Sequence, residues 1–322
     1  MSGVSLNLSV GYHNIKGLHH SVLGCKFHDH ISLLNDVEIF SETWSECDAC
    51  KNFLGTAEYK LVKDIPPVKE GAKGAKGRKS GGLRIFCKSY FEPHIEVIKF
   101  TDNYVWFKIS QNIFYGLSEN IMICAIYSQP YNSKYYSAEI WDELEDDIMR
   151  LTSMGKPFSI IGDMNGRVGV ESEFQSVNKH EDSNVPSTLN ISRSIAESPR
   201  RNCDMKDPDR VGKKILTLCK SYDMQIGNGR TKGDFMGNFT HHNENEGQST
   251  VDLALISDSL FPIIDDFQVL PQPVFSDHCK IILTIKNLKP KDEVHTNYNW
   301  REGTIGYKWA EESPVKRRNA LE

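Results

Sequence analysis

The chain consists mostly of short apolar runs separated by polar turns. In some runs apolar and polar residues alternate, and in others the apolar residues are continuous. Runs of about four to eight such residues are typical of β-strands. They occur at residues 4–12, 37–40, 82–88, 94–100, 104–109, 121–127, 158–161, 224–227, 238–241, 251–256, 267–270 and 281–285. Apolar residues at helical spacing predict helices over 18–34, 138–154 and 211–221. Many strands interleaved with few helices predict an α/β fold, in which two mixed β-sheets pack together with helices outside.

Three segments lie outside this pattern. Residues 66–82 are rich in glycine and lysine and predict an exposed loop, and residues 171–209 are Ser/Asn-rich and predict an insertion between elements. Residues 289–322 are charged and weakly patterned. We therefore expect one domain over residues 1–288, followed by a charged linker or truncated connector over 289–322.

Composition narrows the classes of function. The chain has 322 residues, 39% of them hydrophobic, with 38 Lys and Arg against 43 Asp and Glu and a net charge of −5. It can bury a large core, and any binding to nucleic acid must use local basic patches. No apolar run is long enough to span a bilayer, and the first residues lack the layout of a signal peptide. A nuclear or cytoplasmic, non-secreted protein is expected.

The cysteines and histidines give no clear metal motif. Eight scattered cysteines do not have the density of a disulfide scaffold. Cys47 and Cys50 have the spacing of a zinc or redox pair, but no second such pair follows them. Neighbouring histidines, as at 19–20 and 241–242, point in different directions, so a shared ion is disfavoured.

Carboxylates at strand ends are the strongest chemical signal. The strand 158–161 runs into Gly162-Asp163-Met164-Asn165, which places a carboxylate and an amide side by side at its end. An Asx turn that caps the strand is the structural alternative. Further acids stand at or near strand ends, namely Glu42, Asp252 and Asp277.

If these four acids converge, they must hold a cation or take up protons. Two like charges 4 Å apart at an effective dielectric near 20 repel by about 4 kcal/mol, which is a large share of a domain's stability of roughly 5–15 kcal/mol. The oxygen donors of Glu42 and Asp277, with the amide of Asn14 at the end of the first strand, suit Mg²⁺ or Mn²⁺ better than zinc. Asp252, in an apolar strand, needs a cation or a histidine as partner. His278 is a candidate partner, and a nearby carboxylate favours its imidazolium form, which suits hydrogen bonding to a phosphate oxygen.

The ordered motifs resemble those of the endonuclease/exonuclease/phosphatase superfamily over about residues 5–287. They are Asn14, Ser41-Glu42-Thr43, Tyr127, Gly162-Asp163-Met164-Asn165, Asp252 and Ser276-Asp277-His278. Within that superfamily the chain looks most like the apurinic/apyrimidinic-type endonuclease domain of non-LTR retrotransposons, on segments 78–86, 125–130, 227–234 and 237–240. A reverse transcriptase normally follows that domain, and no Tyr/Phe-Ala-Asp-Asp motif occurs in this chain. A reverse transcriptase domain in a longer element is therefore a possible partner.

The resemblance implies a four-layered α/β sandwich and a Mg²⁺- or Mn²⁺-dependent DNA endonuclease that leaves a 3′-hydroxyl and works as a monomer. Its metal ligands would be Glu42, Asn14 and Asp277. The resemblance also implies the following catalytic roles: Asp163 orients or deprotonates water, Asn165 holds water or phosphate, Tyr127 contacts the phosphate and leaving group, and Asp252 holds His278, which contacts a nonbridging oxygen. Asn228, Thr240 and Arg230 are predicted substrate-binding residues. Lys16 departs from the repair enzymes of the superfamily, which carry an acid there, and this disfavours a second metal.

DNA contacts are also expected from the basic residues of 69–84 and from Arg167, Arg200, Arg201, Arg210 and Lys232. For the basic loop, a solvated segment without DNA contact is an equal alternative. Two other functions stay open: a phosphomonoesterase or phospholipase of the same superfamily, and a catalytically inactive remnant that acts as a binding module. Nicking of supercoiled plasmid with Mg²⁺ separates both from an endonuclease.

Overall fold

Two mixed six-stranded sheets face each other in the computed structural model, which describes residues 6–17, 35–44, 58–67, 80–174, 200–243 and 247–290. The first sheet has the strand order β13-β14-β1-β2-β4-β3, and the second β5-β6-β7-β8-β12-β9. The strands of the first sheet are β1 (Leu6–Asn14), β2 (Val37–Ser41), β3 (Tyr59–Ile65), β4 (Leu83–Lys88), β13 (Ile264–Val269) and β14 (Ile281–Leu288). Those of the second sheet are β5 (Ile95–Phe100), β6 (Tyr104–Ile109), β7 (Ile121–Tyr127), β8 (Phe158–Asp163), β9 (Met224–Ile226) and β12 (Asp252–Ser257).

Each sheet contains one pair of parallel strands. β1 runs parallel to β2 in the first sheet, and β7 runs parallel to β8 in the second. The other pairings are antiparallel among the strands named above. Outside the two sheets, β10 (His241–Asn243) and β11 (Gly247–Ser249) form a short hairpin.

The main core lies between the sheets. Alternate residues of β1 and β14, such as Leu8, Val10 and Leu283, are completely buried against inward-facing residues of β6 and β7, such as Phe107 and Ile123. This is the period-two pattern of a strand with one face on the core. The prediction of two packed sheets is confirmed.

Helices cover the outer face of the second sheet and explain why β7 and β8 are buried on both sides. They are α1 (Glu139–Ser153) and α2 (Arg210–Ser221). Leu144 and Ile148 of α1 and Ile215 of α2 belong to a second core that also contains residues of β6, β7 and β8. α2 begins at Asp209, whose carboxylate accepts the Gly212 N–H at 2.7 Å and so caps the helix. Both helices start and end within one residue of the predicted bounds, whereas the predicted helix over 18–34 lies outside the described residues.

Some predicted elements need correction. β1 and β8 each end two residues later than predicted and include Asn14 and Asp163, because these polar side chains end a strand without breaking its pairing. The predicted strand 238–241 is instead the hairpin strand β10, and β3 was missed because lysines and an aspartate interrupt its apolar alternation. None of the helices within the described ranges is long and apolar enough to cross a membrane.

The predicted basic loop also changes. Residues 69–79 lie outside the described ranges, but Arg84 is the second residue of β4 and its side chain is completely buried. Its Nε donates to Asp64 Oδ1 at 2.8 Å. Arg84 therefore serves the sheet and is unavailable for a DNA contact.

Gly162 controls the spacing of the strands that lead to Asp163. It pairs with Ile126 of β7, and an added Cβ would lie 2.0 Å from the Ile126 carbonyl oxygen. We expect Gly162→Ala to lower the free energy of unfolding by about 3 kcal/mol, because a backbone atom of the paired strand must move. At Gly155 a Cβ meets nothing within 4 Å, so Gly155→Ala should cost only the left-handed backbone strain of about 1 kcal/mol. Urea denaturation measures both, and equal losses would contradict the assigned clash.

Candidate active site

The site lies at the edge where both parallel strand pairs end. Asn14 ends β1 beside Ser41 of β2, and Tyr127 ends β7 beside Asp163 of β8. The first residue of β12, Asp252, lies directly opposite Asp163 in the antiparallel register. Parallel strands end at the same edge of a sheet. The polar side chains at the ends of both parallel pairs therefore lie at one common edge of the two sheets.

A buried chain of polar contacts joins these residues. Asn14 Nδ2 donates to Asp163 Oδ2 at 2.9 Å, and His278 Nδ1 is 2.8 Å from Asp252 Oδ2. His278 Nε2 lies 3.9 Å from Asp163 Oδ2 and 3.5 Å from Asn14 Nδ2. The histidine thus stands between two carboxylates that come from neighbouring strands. The sequence predicted that Asp252 needs a histidine or cation as partner, and His278 lies in that position.

These contacts invert the usual protonation of an aspartate and a histidine. Burial and the negative charge of Asp252 raise the pKa of Asp163 to about 7. Burial alone would lower the pKa of His278, but the charges of Asp252 and Asp163 outweigh it and raise the pKa to about 10. At neutral pH the histidine is therefore an imidazolium with two N–H donors, and Asp163 is the group that exchanges a proton.

Asn165 holds the other side of the Asp163 carboxylate. Its backbone N–H donates to Asp163 Oδ1 at 3.0 Å, and its Nδ2 donates to Asp163 Oδ2 at 3.1 Å and to the Ser128 carbonyl at 2.8 Å. This is the local turn that the Gly-Asp-x-Asn pattern allows. The Asx turn was the structural alternative to a functional role for Asp163. The two are compatible, because the turn fixes the Asp163 carboxylate that faces His278.

Glu42 joins the group through Tyr127. The Tyr127 hydroxyl donates to Glu42 Oε1, and burial together with the charges of Glu42 and Asp163 raises the pKa of Tyr127 well above its usual value. The phenol is therefore neutral and keeps its proton. Glu42 itself is only partly buried, which leaves its carboxylate near solvent at the site edge.

Asp277 lies beside His278 but carries other partners. Its Oδ2 bonds to the ammonium of Lys16 and lies 3.7 Å from His241 Nε2. Burial alone would raise the pKa of Asp277, but the hydrogen bonds from His241 and Lys16 and the charge of His278 lower it well below its usual value. The sequence did not predict this pairing, since Lys16 and Asp277 are far apart along the chain.

Supporting residues that sequence reasoning missed fix the loop before β14. Ser276 Oγ donates to the Asn14 carbonyl at 2.7 Å and accepts the His278 N–H at 3.0 Å. His13 Nε2 lies 3.1 Å from the His278 carbonyl oxygen, and the ring of His241 lies 4.6 Å from that of His278. A serine two residues before the histidine was the available signal for this support.

The three predicted substrate-binding residues bond to other parts of the chain. Thr240 Oγ1 accepts the N–H groups of Val251 and Asp252 at 3.1 and 3.0 Å, so it orients the start of β12. The Asn228 amide donates to the Asp252 carbonyl at 3.0 Å and accepts the Ala254 N–H at 3.1 Å. Contact of either residue with substrate stays a prediction.

Two arginines expected near DNA are bound within the protein. Arg230 Nη2 donates to Glu173 Oε1 at 2.6 Å, and its role in substrate binding stays a prediction. Arg200 is buried and donates to the Gly169 carbonyl at 2.9 Å, so its expected DNA contact is wrong. Burial of a guanidinium requires such partners, which the sequence did not reveal.

The donors present fit a hard divalent ion. Glu42 and Asp277 offer carboxylate oxygens and Asn14 an amide oxygen, which are ligands that Mg²⁺ and Mn²⁺ prefer. Asp252 Oδ1 is buried and has no hydrogen-bond partner in the described part of the chain, so the site has an unused acceptor oxygen. Ligand atoms of two further groups also lie within 4.8 Å of one another, namely His241, Asp277 and His278, and Asp163, Asp252 and His278.

Backbone strain is concentrated at the same edge. Lys16, Glu42 and Asn165 have φ of 49°, 51° and 45°, in the left-handed region that non-glycine residues seldom adopt. Strained residues cluster at functional sites where the surroundings determine their conformation.

Solved structures with a similar fold are known, but the sequence comparisons found no match. No family model and no curated protein matches the chain. The solved structure of the AP endonuclease LMAP from Leishmania major has a TM-score of 0.60 at 15% identity, covering 87% of this chain and 88% of that one. A 3′-5′ exonuclease (NExo) from Neisseria meningitidis has a TM-score of 0.50 at 10% identity, covering 88% and 100%. The endonuclease domain of TRAS1, a telomere-specific non-LTR retrotransposon, has a TM-score of 0.49 at 16% identity, covering 88% and 100%.

The chain has the two-sheet α/β fold of the AP endonuclease LMAP and of the exonuclease NExo. The α/β sandwich fold that the resemblance implied is confirmed.

Proposed function

We propose that the protein is a divalent-metal-dependent phosphodiesterase, and specifically a DNA endonuclease that leaves a 3′-hydroxyl. The observation that carries this proposal is the buried set Asn14, Asp163, His278 and Asp252 at the common edge of the two sheets. The set combines a proton acceptor with a cationic donor 3.9 Å away, which is what attack on an anionic phosphodiester requires. Two structural neighbours with a TM-score of at least 0.50 are an AP endonuclease and a 3′-5′ exonuclease, which supports the nuclease class.

Asp163 is the proposed base. Its Oδ2 is held by Asn14 and its Oδ1 by the Asn165 N–H, so the carboxylate has a fixed direction. With its pKa raised to about 7, it accepts a proton from water at neutral pH more readily than an ordinary aspartate does. The hydroxide formed attacks phosphorus, and the bond from phosphorus to the 3′ oxygen breaks.

His278 and Tyr127 are the proposed partners of the phosphate. As an imidazolium bonded to Asp252, His278 has its Nε2–H left to donate to a nonbridging oxygen, whose negative charge grows as hydroxide adds. The neutral Tyr127 phenol contacts the phosphate and the departing 3′ oxygen. Asn165 would hold the water or a phosphate oxygen beside Asp163.

The proposed metal ligand is Glu42, with Asn14 and Asp277 as further candidates. When bound, Mg²⁺ or Mn²⁺ polarises a phosphoryl oxygen and stabilises the leaving alkoxide. The Asn14 amide oxygen already accepts the Lys16 N–H at 3.1 Å, so it has one lone pair left for an ion.

The proposed setting is a monomeric domain over residues 1–288 that acts on DNA in the nucleus or cytoplasm, with a reverse transcriptase in a longer element as a candidate partner. The charged segment 289–322 would then be a connector.

Nicking of supercoiled plasmid tests the proposed function. We expect the purified protein to convert supercoiled to open-circular DNA with Mg²⁺ or Mn²⁺, and to be inactive with a chelator. A DNA polymerase should extend the nicks without prior end repair, because they carry a 3′-hydroxyl. Folded protein that leaves the plasmid intact in both metals would contradict the endonuclease, and nicks that resist extension would contradict the proposed product.

A further inference from the structure

Gln129 is a buried glutamine at the site edge that the proposed reaction does not use. It lies two residues after Tyr127, the last residue of β7, and only 7% of its surface is exposed. The Ser128 N–H donates to the Asp163 carbonyl at 2.9 Å, which continues the pairing of β7 with β8 beyond the end of β7. Gln129 therefore belongs to a segment that is fixed beside the proposed base.

Asn103 determines which end of the Gln129 amide faces the protein. Asn103 lies in the turn before β6, and its Nδ2 donates to the Tyr127 carbonyl at 3.3 Å and to Gln129 Oε1 at 2.8 Å. A backbone carbonyl can only accept, so the atom of Asn103 that faces it must be the amide nitrogen. Because the same nitrogen faces Gln129, the nearer atom of the glutamine must be its oxygen. The Gln129 Nε2 group, with its two N–H donors, is consequently turned away from Asn103.

The Gln129 Nε2 group finds no acceptor in the described part of the chain. Gly81 marks its position, because a Cβ added there would lie 3.8 Å from Gln129 Nε2 and 3.7 Å from Tyr127 Cε1. The Tyr127 hydroxyl bonds to Glu42, so the unused donors lie on the same wall as the proposed metal ligand. A protein seldom buries an amide without an acceptor, because the loss of water is costly. An acceptor from outside the chain is therefore expected beside Tyr127.

We infer that the Gln129 Nε2 group donates to an oxygen of the phosphate that flanks the cut bond, and that Asn103 positions it. This inference rests on the proposed function, which places Tyr127 against the cut phosphodiester itself. Side chains two residues apart in an extended segment leave it on the same side, about 7 Å apart, so Gln129 meets the neighbouring phosphate. Phosphate fits this position because it offers acceptors alone, and the acceptor of Gln129 is already bonded to Asn103.

Affinity for a short DNA duplex tests the donor. Every protein in this comparison carries Asp163→Asn, which slows cleavage, and fluorescence anisotropy measures binding with Mg²⁺. Gln129→Met keeps the length of the side chain and removes the donor, so it should weaken binding by about tenfold. The slope of log affinity against log salt should stay the same, because a neutral contact releases no counterion. An unchanged affinity, or a shallower slope, would overturn the inference.

Gln129→Glu separates a donor from a purely structural residue. Glutamate can still accept from Asn103, so a structural role predicts unchanged DNA affinity. For a donor, the second carboxylate oxygen repels the phosphate, and binding should weaken by more than tenfold. Gln225→Met is the matched control, because Gln225 is also buried but lies on β9 and bonds to Asp258, just beyond the last residue of β12. It should bind DNA as tightly as the background protein does.

Asn103→Asp tests the positioning. Aspartate cannot donate, so Gln129 should turn its Nε2 toward the new carboxylate and its oxygen toward the phosphate. The change alone should weaken DNA binding by about tenfold. Added to Gln129→Met it should have little further effect, because it acts through Gln129. Losses that multiply in the double variant would show that Asn103 acts through the fold, and would overturn its positioning role.

The two proposals fail in different ways. With Asp163 restored, Gln129→Met should raise the KM of plasmid nicking by about tenfold and leave kcat nearly unchanged, because the flanking phosphate is bound equally before and during the reaction. DNA binding that depends on Gln129, without any plasmid nicking, contradicts the proposed endonuclease and leaves the phosphate contact intact. Nicking by Gln129→Met at the wild-type KM contradicts the contact alone. Absence of DNA binding by the Asp163→Asn protein overturns both.

Discussion

Replacing Asp163 with asparagine is expected to lower plasmid nicking by about 10²–10⁴-fold, the usual contribution of a general base. The same change should raise the stability of the metal-free protein. Asparagine has nearly the same shape and removes a buried charge opposite Asp252. Its single oxygen can accept from only one of the two donors, Asn14 Nδ2 or the Asn165 N–H, but the loss of this one contact costs less than the buried charge does. Activity and stability therefore change in opposite directions, which is typical of a residue that serves chemistry at the expense of the fold.

The stability gain has a defined pH dependence. Burial and Asp252 raise the pKa of Asp163 from its ordinary value near 4 to about 7. A carboxyl with a raised pKa binds its proton more tightly in the folded state, so its ionisation costs stability as the pH rises through this range. The gain of Asp163→Asn over the wild type should thus be small near pH 4 and reach its full size above about pH 7. Thermal unfolding at a series of pH values measures it.

Asp147 provides a matched control for this prediction. It is also a buried aspartate, but Lys99 Nζ bonds to both of its oxygens, and Trp106 Nε1 donates to Oδ2 at 3.1 Å. Asp147→Asn should destabilise the protein, because it weakens a satisfied ion pair, and should leave nicking per folded molecule unchanged. If Asp163→Asn lost stability as Asp147→Asn does, or cut at the wild-type rate, Asp163 would be a structural residue.

Replacing Glu42 with glutamine is expected to abolish most metal binding and to lower nicking by about 10³-fold, since metal catalysis contributes several kcal/mol. The glutamine oxygen can still accept from Tyr127, so the fold should persist. What disappears is the negative charge that faces solvent at the site edge. Mn²⁺ affinity should fall together with activity, and a higher Mn²⁺ concentration should restore part of the nicking.

Glu96→Gln is the control for Glu42→Gln. Glu96 lies on β5 and forms an exposed ion pair with Lys108, so its loss should alter neither metal affinity nor nicking. Wild-type Mn²⁺ affinity in Glu42→Gln would show that the ion binds elsewhere, with the group of His241, Asp277 and His278 as the next candidate.

Sequence reasoning succeeded where the signal was local. The apolar runs predicted both sheets, because each strand has to bury a face, and Trp141, Leu144 and Ile148 predicted α1 by their spacing. Asp163 and Asp252 stood out because a carboxylate beside an apolar run needs a partner. The structure places them opposite each other, with His278 between them.

The sequence did not reveal which residues that are far apart along the chain contact each other. Nothing near Lys16 in sequence indicates that its ammonium meets Asp277, and nothing near Arg200 indicates that it is buried against the Gly169 carbonyl. Basic residues look alike in a sequence whether they face DNA or fill an internal site. Contacts between segments that are far apart along the chain decide which of these residues are bound within the protein.

Asn14 comes from the first strand and His278 from the residues just before the last one, and they meet only when β1 and β14 have paired. A growing polypeptide therefore lacks the complete candidate site until His278 has left the ribosome. Cleavage of the chain by a protease anywhere between these two positions, followed by separation of the pieces, divides the site as well.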